Sequence, residues 1–381
     1  MGSTYGKKLK ITIYGESHGK AIGMVAEGLP AGEIIDMDEL LAFMARRSAV
    51  GKKYSTPRKE PDIPVFLSGM LEQPVEQTAE QPGADADGSG QPSGQGCGQK
   101  YKILNSPVCV MIENTNQRSG DYNNLKDVPR PAHADFAAMM RYGSNVDLRG
   151  GGHFSGRLTA PLCAAGDMAK QILQHRGITV TAQMIAVAGV RGDAGMDPAT
   201  GIHTVDEAGV EAMMQAMAQA QAEGDSVGGI IECVVEGLPA GSCGDHMFDG
   251  MEGRISQAVF GIPAVKGIEF GNGFACAALR GSQNNDPFFV DEDGNVRTKS
   301  NNHGGILGGI ASGMPVVFRV AVKPTPSIFK EQDSVSMSVG CNAKLKIKGR
   351  HDPCIVQRAV PVVEAAAALA VLDGLLDGTQ A

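Results

Sequence analysis

The segment from Glu16 to Gly32, ESHGKAIGMVAEGLPAG, returns 209 residues later as DSVGGIIECVVEGLPAG, from Asp225 to Gly241, with 10 of 17 positions identical and no gap. Self-similarity of this length constrains the fold before any local reading, because each copy must find an equivalent place. Two copies, rather than an array, imply a duplicated strand-and-turn unit, with halves at about 1–223 and 224–381. The copies differ in their chemistry: His18 of the first is Val227 in the second. The scaffold occurs twice and the titratable group once, which makes His18 the first functional candidate.

A chain of 381 residues can bury a large core. Its 51 glycines, about twice the usual share, predict many turns and close backbone approaches. A net charge of -8 and the absence of Trp argue against a nucleic-acid binder, which needs a basic face and stacking platforms. The eight cysteines, from Cys97 to Cys354, contain no C-x-x-C pair. No metal site is therefore expected, and scattered thiols in a long chain fit a reducing cytoplasm. The N-terminus lacks the apolar stretch of a signal peptide. The longest apolar run, Ala359 to Leu376, is interrupted by Glu364 and Asp373, which reads as a buried helix rather than a membrane span.

Leu9, Ile11 and Ile13 alternate with Lys10, Thr12 and Tyr14, the period of a half-buried strand. It ends at Gly15 and leaves Ser17 and His18 in the following loop. Asp38 is expected to cap a helix through Leu40 to Arg47. Residues 72–100 are rich in Gly, Gln, Pro and Ser and read as a low-complexity surface insertion at an enlarged hairpin tip. Helices are expected over Ala134–Tyr142, Leu158–His175, Glu207–Glu223, Phe248–Phe260 and Pro353–Leu376, and strands over Gly229–Glu236 and Val316–Val322. The pattern points to an α/β-layered sandwich whose two duplicated halves share one core.

The stretch from Arg46 to Lys59 places six cations in 14 residues of an acidic protein; it suits an anionic ligand, or equally a solvated loop. Arg118, Lys126 and Arg130 extend the basic supply, and RPAHAD adds His133. Arg149-Gly-Gly-Gly-His153-Phe154-Ser155-Gly-Arg157 is a glycine loop entering a helix, which favours an anion site. A further glycine stretch, Gly304 to Gly313, precedes a strand ending in Lys323-Pro324-Thr325-Pro326-Ser327. No dinucleotide or P-loop fingerprint is present. Asp352-Pro353 has the form of a helix start, but a cap does not explain the neighbouring Arg350. Glycine loops, cations, loop histidines and a carboxylate suit acid-base work on a small, highly anionic substrate. They would also suit a non-catalytic binder of phosphorylated metabolites.

The chain resembles the chorismate synthase family. Gly15-Glu-Ser-His-Gly with Glu27-Gly-Leu-Pro-Ala-Gly is similar to its first signature, Gly152-His-Phe-Ser-Gly-Arg-Leu-Thr to its second, and Arg350-His-Asp-Pro-Cys through Glu364 to its third. The resemblance covers essentially everything except about residues 72–100, and it implies a single α+β domain folded as a β-α-β layered sandwich. It implies a 1,4-anti elimination of phosphate and the C6 hydrogen from 5-enolpyruvylshikimate 3-phosphate, giving chorismate. It also implies reduced FMN as transient electron donor, with NADPH only indirectly the source of reducing equivalents. An external flavin reductase or the protein itself would reduce the flavin, and a homotetramer is implied. Carried over by position, His18 would serve the departing phosphate, His133 the reduced flavin, and Asp352 proton movement, with Ser17 and Ser155 as relays. Arg47, Lys53, Arg58, Arg130, Arg157 and Arg350 would hold phosphate and carboxylates. The flavin would contact His153, Phe154, Ser155, Pro263, Ala264, Gly308, Lys323, Pro324, Thr325, Pro326, Ser327 and Arg350. The chain departs from the family at Ala132, where Gly is usual, and at Lys53 and His153, where many members have Arg.

Overall fold

Strand Lys10–Gly15 pairs antiparallel with Ala21–Glu27, Leu9 and Ile11 being turned into the core. Ala21–Glu27, the first copy of the repeat, pairs on its other side with Val108–Glu113. With Thr4–Tyr5 at one edge and Val65–Ser68 at the other, these make a five-stranded antiparallel sheet whose middle strand is the repeat. The second copy, Gly229–Glu236, is likewise the middle strand of a five-stranded antiparallel sheet, between Thr179–Val187 and Val316–Val322. The computed structural model describes residues 2–55, 60–74, 98–115, 127–347 and 352–378.

Between the sheets lies a layer of helices. The Thr159–Gln174 and Val356–Gly378 helices pack along each other, and Met37–Arg47 and Met251–Phe260 pack beside them. Gly166 makes the close approach: a methyl there would overlap Ala365. Val356–Gly378 is long and apolar enough by composition to cross a bilayer, yet every residue from Val362 to Gly374 is buried within the protein. A helix apolar all round belongs in a core. Its one buried glutamate, Glu364, accepts from Arg46 at 2.6 Å, Lys170 at 2.5 Å and the Ala182 amide at 3.0 Å. Burial pushes its carboxyl up, but these donors more than reverse that and hold it below the ordinary value. The result is the β-α-β sandwich.

Several boundaries differ from the sequence reading. Asp36, not Asp38, caps the first helix, accepting from the Asp38 and Glu39 amides, because an N-cap must stand in extended backbone outside the helix. The last helix begins at Val356 rather than Pro353. The Pro353 carbonyl accepts from the Val227 amide at 2.8 Å, and Cys354 bridges Val227, so this segment is drawn into extended pairing with the second repeat copy. The second sheet takes Thr179–Val187 from before residue 224, so the sheets divide the chain earlier than the expected halves. Met70–Gln73 pairs with Lys100–Ile103, carrying a ladder into both ends of the 72–100 stretch; residues 75–97 lie outside the described residues.

Candidate active site

Three consecutive glycines organise the centre. Gly150, Gly151 and Gly152 have φ of 60, 88 and 52°, a run that side chains with a Cβ would strongly disfavour. The Gly152 carbonyl accepts from the Ser17 amide at 3.1 Å. A side chain on Gly150 would overlap the buried His18 ring and come 2.9 Å from Ser17 Oγ, and one on Gly151 would come 3.3 Å from His133 Nε2 and 3.5 Å from Ser155 Cβ. Neighbouring glycines therefore touch both candidate histidines, which stand 115 positions apart in sequence. The run makes a tight turn, followed by a 3-10 turn over Gly156–Leu158 that Ser155 caps and then by the helix from Thr159.

His133 is oriented by Asp135, a residue to which the sequence reading gave no role. Its Nδ1 lies 2.5 Å from Asp135 Oδ1 and 3.1 Å from Arg130 Nη2. A guanidinium only donates and a carboxylate only accepts, so one ring nitrogen cannot serve both. The shorter contact assigns the Nδ1 proton to Asp135 and directs Nε2 toward Gly151. Arg130 grips the same carboxylate with Nε at 2.7 Å and Nη2 at 2.8 Å. Burial pushes the Asp135 carboxyl up, but hydrogen bonds and charge from Arg130 and His133 outweigh it and hold it far below the carboxylate range. Arg130, expected on the substrate, thus has most of its fork on Asp135. Ala132 precedes His133 at φ 58°, which explains why a glycine suits that place.

Arg47 and Arg157 converge on Asp62. Arg47 Nη1 donates to Asp62 Oδ2 at 2.6 Å and Nε to Thr159 Oγ1 at 2.8 Å. Arg157 donates to Asp62 Oδ1 and to Glu60, and its Nε to Asn114 Oδ1 at 3.0 Å. Burial pushes the Arg47 guanidinium down and Asp62 partly restores it. Ser155 Oγ accepts from the Arg157 amide, placing that arginine beside the glycine loop. Asp352 is not a helix cap: its carboxylate accepts from Ser55 Oγ at 2.7 Å and Arg358 Nη1 at 2.8 Å, while Arg358 Nε donates to the Arg47 carbonyl. Lys53 is exposed. Arg58, Arg350, Arg118 and Lys126 lie outside the described residues.

The remaining candidates fall into two places. Lys323 reaches the Ala132 carbonyl, and Ser327 Oγ accepts from Arg130 Nη1 at 3.5 Å, so Lys323–Ser327 borders His133. Its backbone is held by Ser226, whose hydroxyl donates to the Thr325 carbonyl, and by Ala264, whose carbonyl accepts from the Lys323 amide. Pro263 and Ala264 belong here, Ala264 at φ 76°. Gly308 does not: its hairpin attaches at the Pro315 end of the strand that runs on to Lys323, through Ser312 to Gly305 and Asn301 to Pro315. About 3.3 Å per residue along Val316–Val322 separates the two. His153 uses both ring nitrogens on Ser3 and the Gly15 carbonyl, and Phe154 lies against Tyr142 with ring centroids 6.4 Å apart.

The fold and site gather the buried guanidiniums of Arg130 and Arg157 and two loop histidines around one glycine turn. The chorismate synthase family model matches residues 9–82 and 92–376. The chain is 42% identical over 374 residues to chorismate synthase of Chitinophaga pinensis, covering 98% of this chain and 96% of that one. It is also 42% identical to chorismate synthase of Thermococcus kodakarensis, covering 97% of each. A crystal structure of chorismate synthase superposes with a TM-score of 0.68 at 25% identity, covering 98% of this chain and 93% of the other. The chain belongs to the chorismate synthase family, lyases of the shikimate pathway to aromatic amino acids. The family match reaches residue 82 and resumes at 92, so family-like sequence extends well into the stretch read as an insertion.

Proposed function

We propose that this protein eliminates phosphate and the C6 hydrogen from 5-enolpyruvylshikimate 3-phosphate to form chorismate, with reduced FMN bound. The placement of His18 and His133 on neighbouring glycines, with Arg157 following Ser155 on the same stretch of chain, carries the reading. In the reaction the C3–oxygen bond to phosphate and the C6–hydrogen bond break and a ring double bond forms, so substrate and product differ by no net oxidation. His18 donates a proton to the departing phosphate, with Ser17 adjacent to relay it. His133, its Nδ1 proton fixed on Asp135, presents Nε2 to hold a proton against an anionic partner on the Gly151 side. Asp352, carried by Ser55 and Arg358, accepts or passes a proton, and Ser155 serves as a second relay. Arg157 and Arg47 supply buried positive charge for phosphate and carboxylates.

The residues near His133 fit a flavin. Thr325 Oγ1 is buried with no hydrogen-bond partner among the described residues, and Lys323, whose ammonium burial and Lys266 push below its ordinary value, lies two residues before it. Lys323, Thr325, Ser327, Pro263 and Ala264 would hold the group. Bound there, reduced flavin supplies the electron density that makes loss of a non-acidic C6 hydrogen feasible. The buried thiols of Cys163, Cys233, Cys243 and Cys354 support a cytoplasmic setting. Exposed Phe248, Phe274 and Phe288 support self-association, which we take to be a homotetramer.

Supplying chemically reduced FMN and the substrate anaerobically tests the proposal independently of where reducing equivalents come from. Stoichiometric phosphate release is expected, and none would overturn it. His18→Ala should slow release by about 10²-fold or more; a full rate would remove His18 from the acid role.

A further inference from the structure

Asp62 is the least expected member of the site. Its carboxylate is buried between two buried guanidiniums, one oxygen to each. Its backbone stands at φ 50°, in the left-handed region that costs a non-glycine residue energy and that proteins keep where surrounding structure demands it. Like charges as close as Arg47 and Arg157 repel, and a shared carboxylate is what lets both forks stay charged and in place. The remaining bonds divide clearly by length. Arg47 Nε and Arg157 Nε make bonds of 2.8 and 3.0 Å to Thr159 and Asn114, and Arg157 Nη1 also meets Glu60 at 2.9 Å, whereas among the described residues the two Nη2 atoms reach only carbonyls, at 3.3 and 3.5 Å from Arg47 and 3.4 Å from Arg157. Hydrogen bonds that long are weak. The Nη2 atoms are therefore the donors an incoming anion can take over without breaking a strong bond.

We infer that Asp62 is a positioning residue that ties Arg157 to Arg47 and so fixes the direction in which their weakly bonded Nη2 donors face a phosphorylated substrate. The inference rests on the reading of Arg157 as a substrate ligand. Asp62 touches neither reacting atoms nor substrate. It acts through the guanidiniums, so its removal weakens ground-state and transition-state binding alike, which raises KM and leaves kcat nearly unchanged. A purely structural role would do the reverse, lowering apparent kcat with the folded fraction at constant KM.

The test is steady-state phosphate release by the full chain carrying Asp62→Asn and Asp62→Ala, with reduced FMN under anaerobic conditions. KM for the enolpyruvyl substrate should rise about ten- to a hundredfold for Ala, the loss of a charge-assisted bond, and less for Asn, which keeps one acceptor. Inorganic phosphate should raise the unfolding temperature of the wild-type protein and fail to do so for Asp62→Ala. If Ala does not fold, Asn decides by both readouts. Wild-type KM and an undiminished phosphate effect in Asp62→Asn would overturn the inference while leaving the elimination intact. A wild-type protein that releases no phosphate would instead overturn the functional reading beneath it.

Discussion

His18 and His133 are held by different physical means. His18 is buried beneath Gly150, where any side chain would collide with its ring, while His133 is fixed by a carboxylate that Arg130 also holds through both of its oxygens. The glycine turn covers the first, and an ion pair orients the second. Ala132 bears on the second, because its φ of 58° strains a residue with a Cβ directly before the histidine. Ala132→Gly should gain about 1 kcal/mol in denaturant unfolding, the relief of the left-handed strain less the glycine's extra unfolded entropy; a loss would show that the methyl packs usefully. At this scale the candidate residue types were legible in sequence. Asp135, Asp62 and Arg358 were not, although Asp135 stands two residues from His133 and Asp62 follows the basic run. Sequence shows that a carboxylate exists; only geometry shows which cation it serves.

At the level of elements, the Thr159–Gln174 helix carries a buried carboxyl outside the site. Burial pushes Asp167 from 3.8 up to about 6, against a hydrogen bond from Gln171 and the charge of Lys170. A folded-state value above the unfolded one means that this group's contribution to stability is fully present below about pH 4 and is lost as pH rises through 6, a cost on the order of 3 kcal/mol by neutrality. Asp167→Asn should therefore raise the unfolding midpoint at pH 8 and leave it nearly unchanged at pH 4. Equal shifts at both pH values would mean that packing, not ionisation, sets the difference. The helices themselves were readable, with most ends within two or three residues. Two of the shifts, Asp36 for Asp38 and Val356 for Pro353, arise where a cap or a strand pairing competes with local preference. Asp352-Pro353 has a good helix-start sequence, but Val227 pairs with its backbone first.

Across the whole molecule the two repeat copies occupy the same place in two sheets, and each docks on the loop before a central helix. Ser17 bonds to Gly152, ahead of Thr159–Gln174, and Val227 bonds to Pro353, ahead of Val356–Gly378. The copy without a histidine thus carries the segment bearing Asp352, while Ser226 holds the Thr325 carbonyl. Large apolar side chains remain outside this frame, with Phe248 91% and Phe274 88% exposed. Sedimentation should give a tetramer, and Phe248→Asp with Phe274→Asp should shift it toward smaller species; an unchanged tetramer would put the contact elsewhere. The sequence by itself determined the repeated strand, the helices with their apolar faces, the glycine loop and the chemistry of the site's residues, because periodicity, backbone permissiveness and side-chain type are local properties. Tertiary structure alone decided that Arg130 turns to Asp135, that Arg47 and Arg157 share Asp62, and that Gly308 stands apart from Lys323. Those pairings depend on which distant charges burial forces together, and no spacing along the chain encodes that.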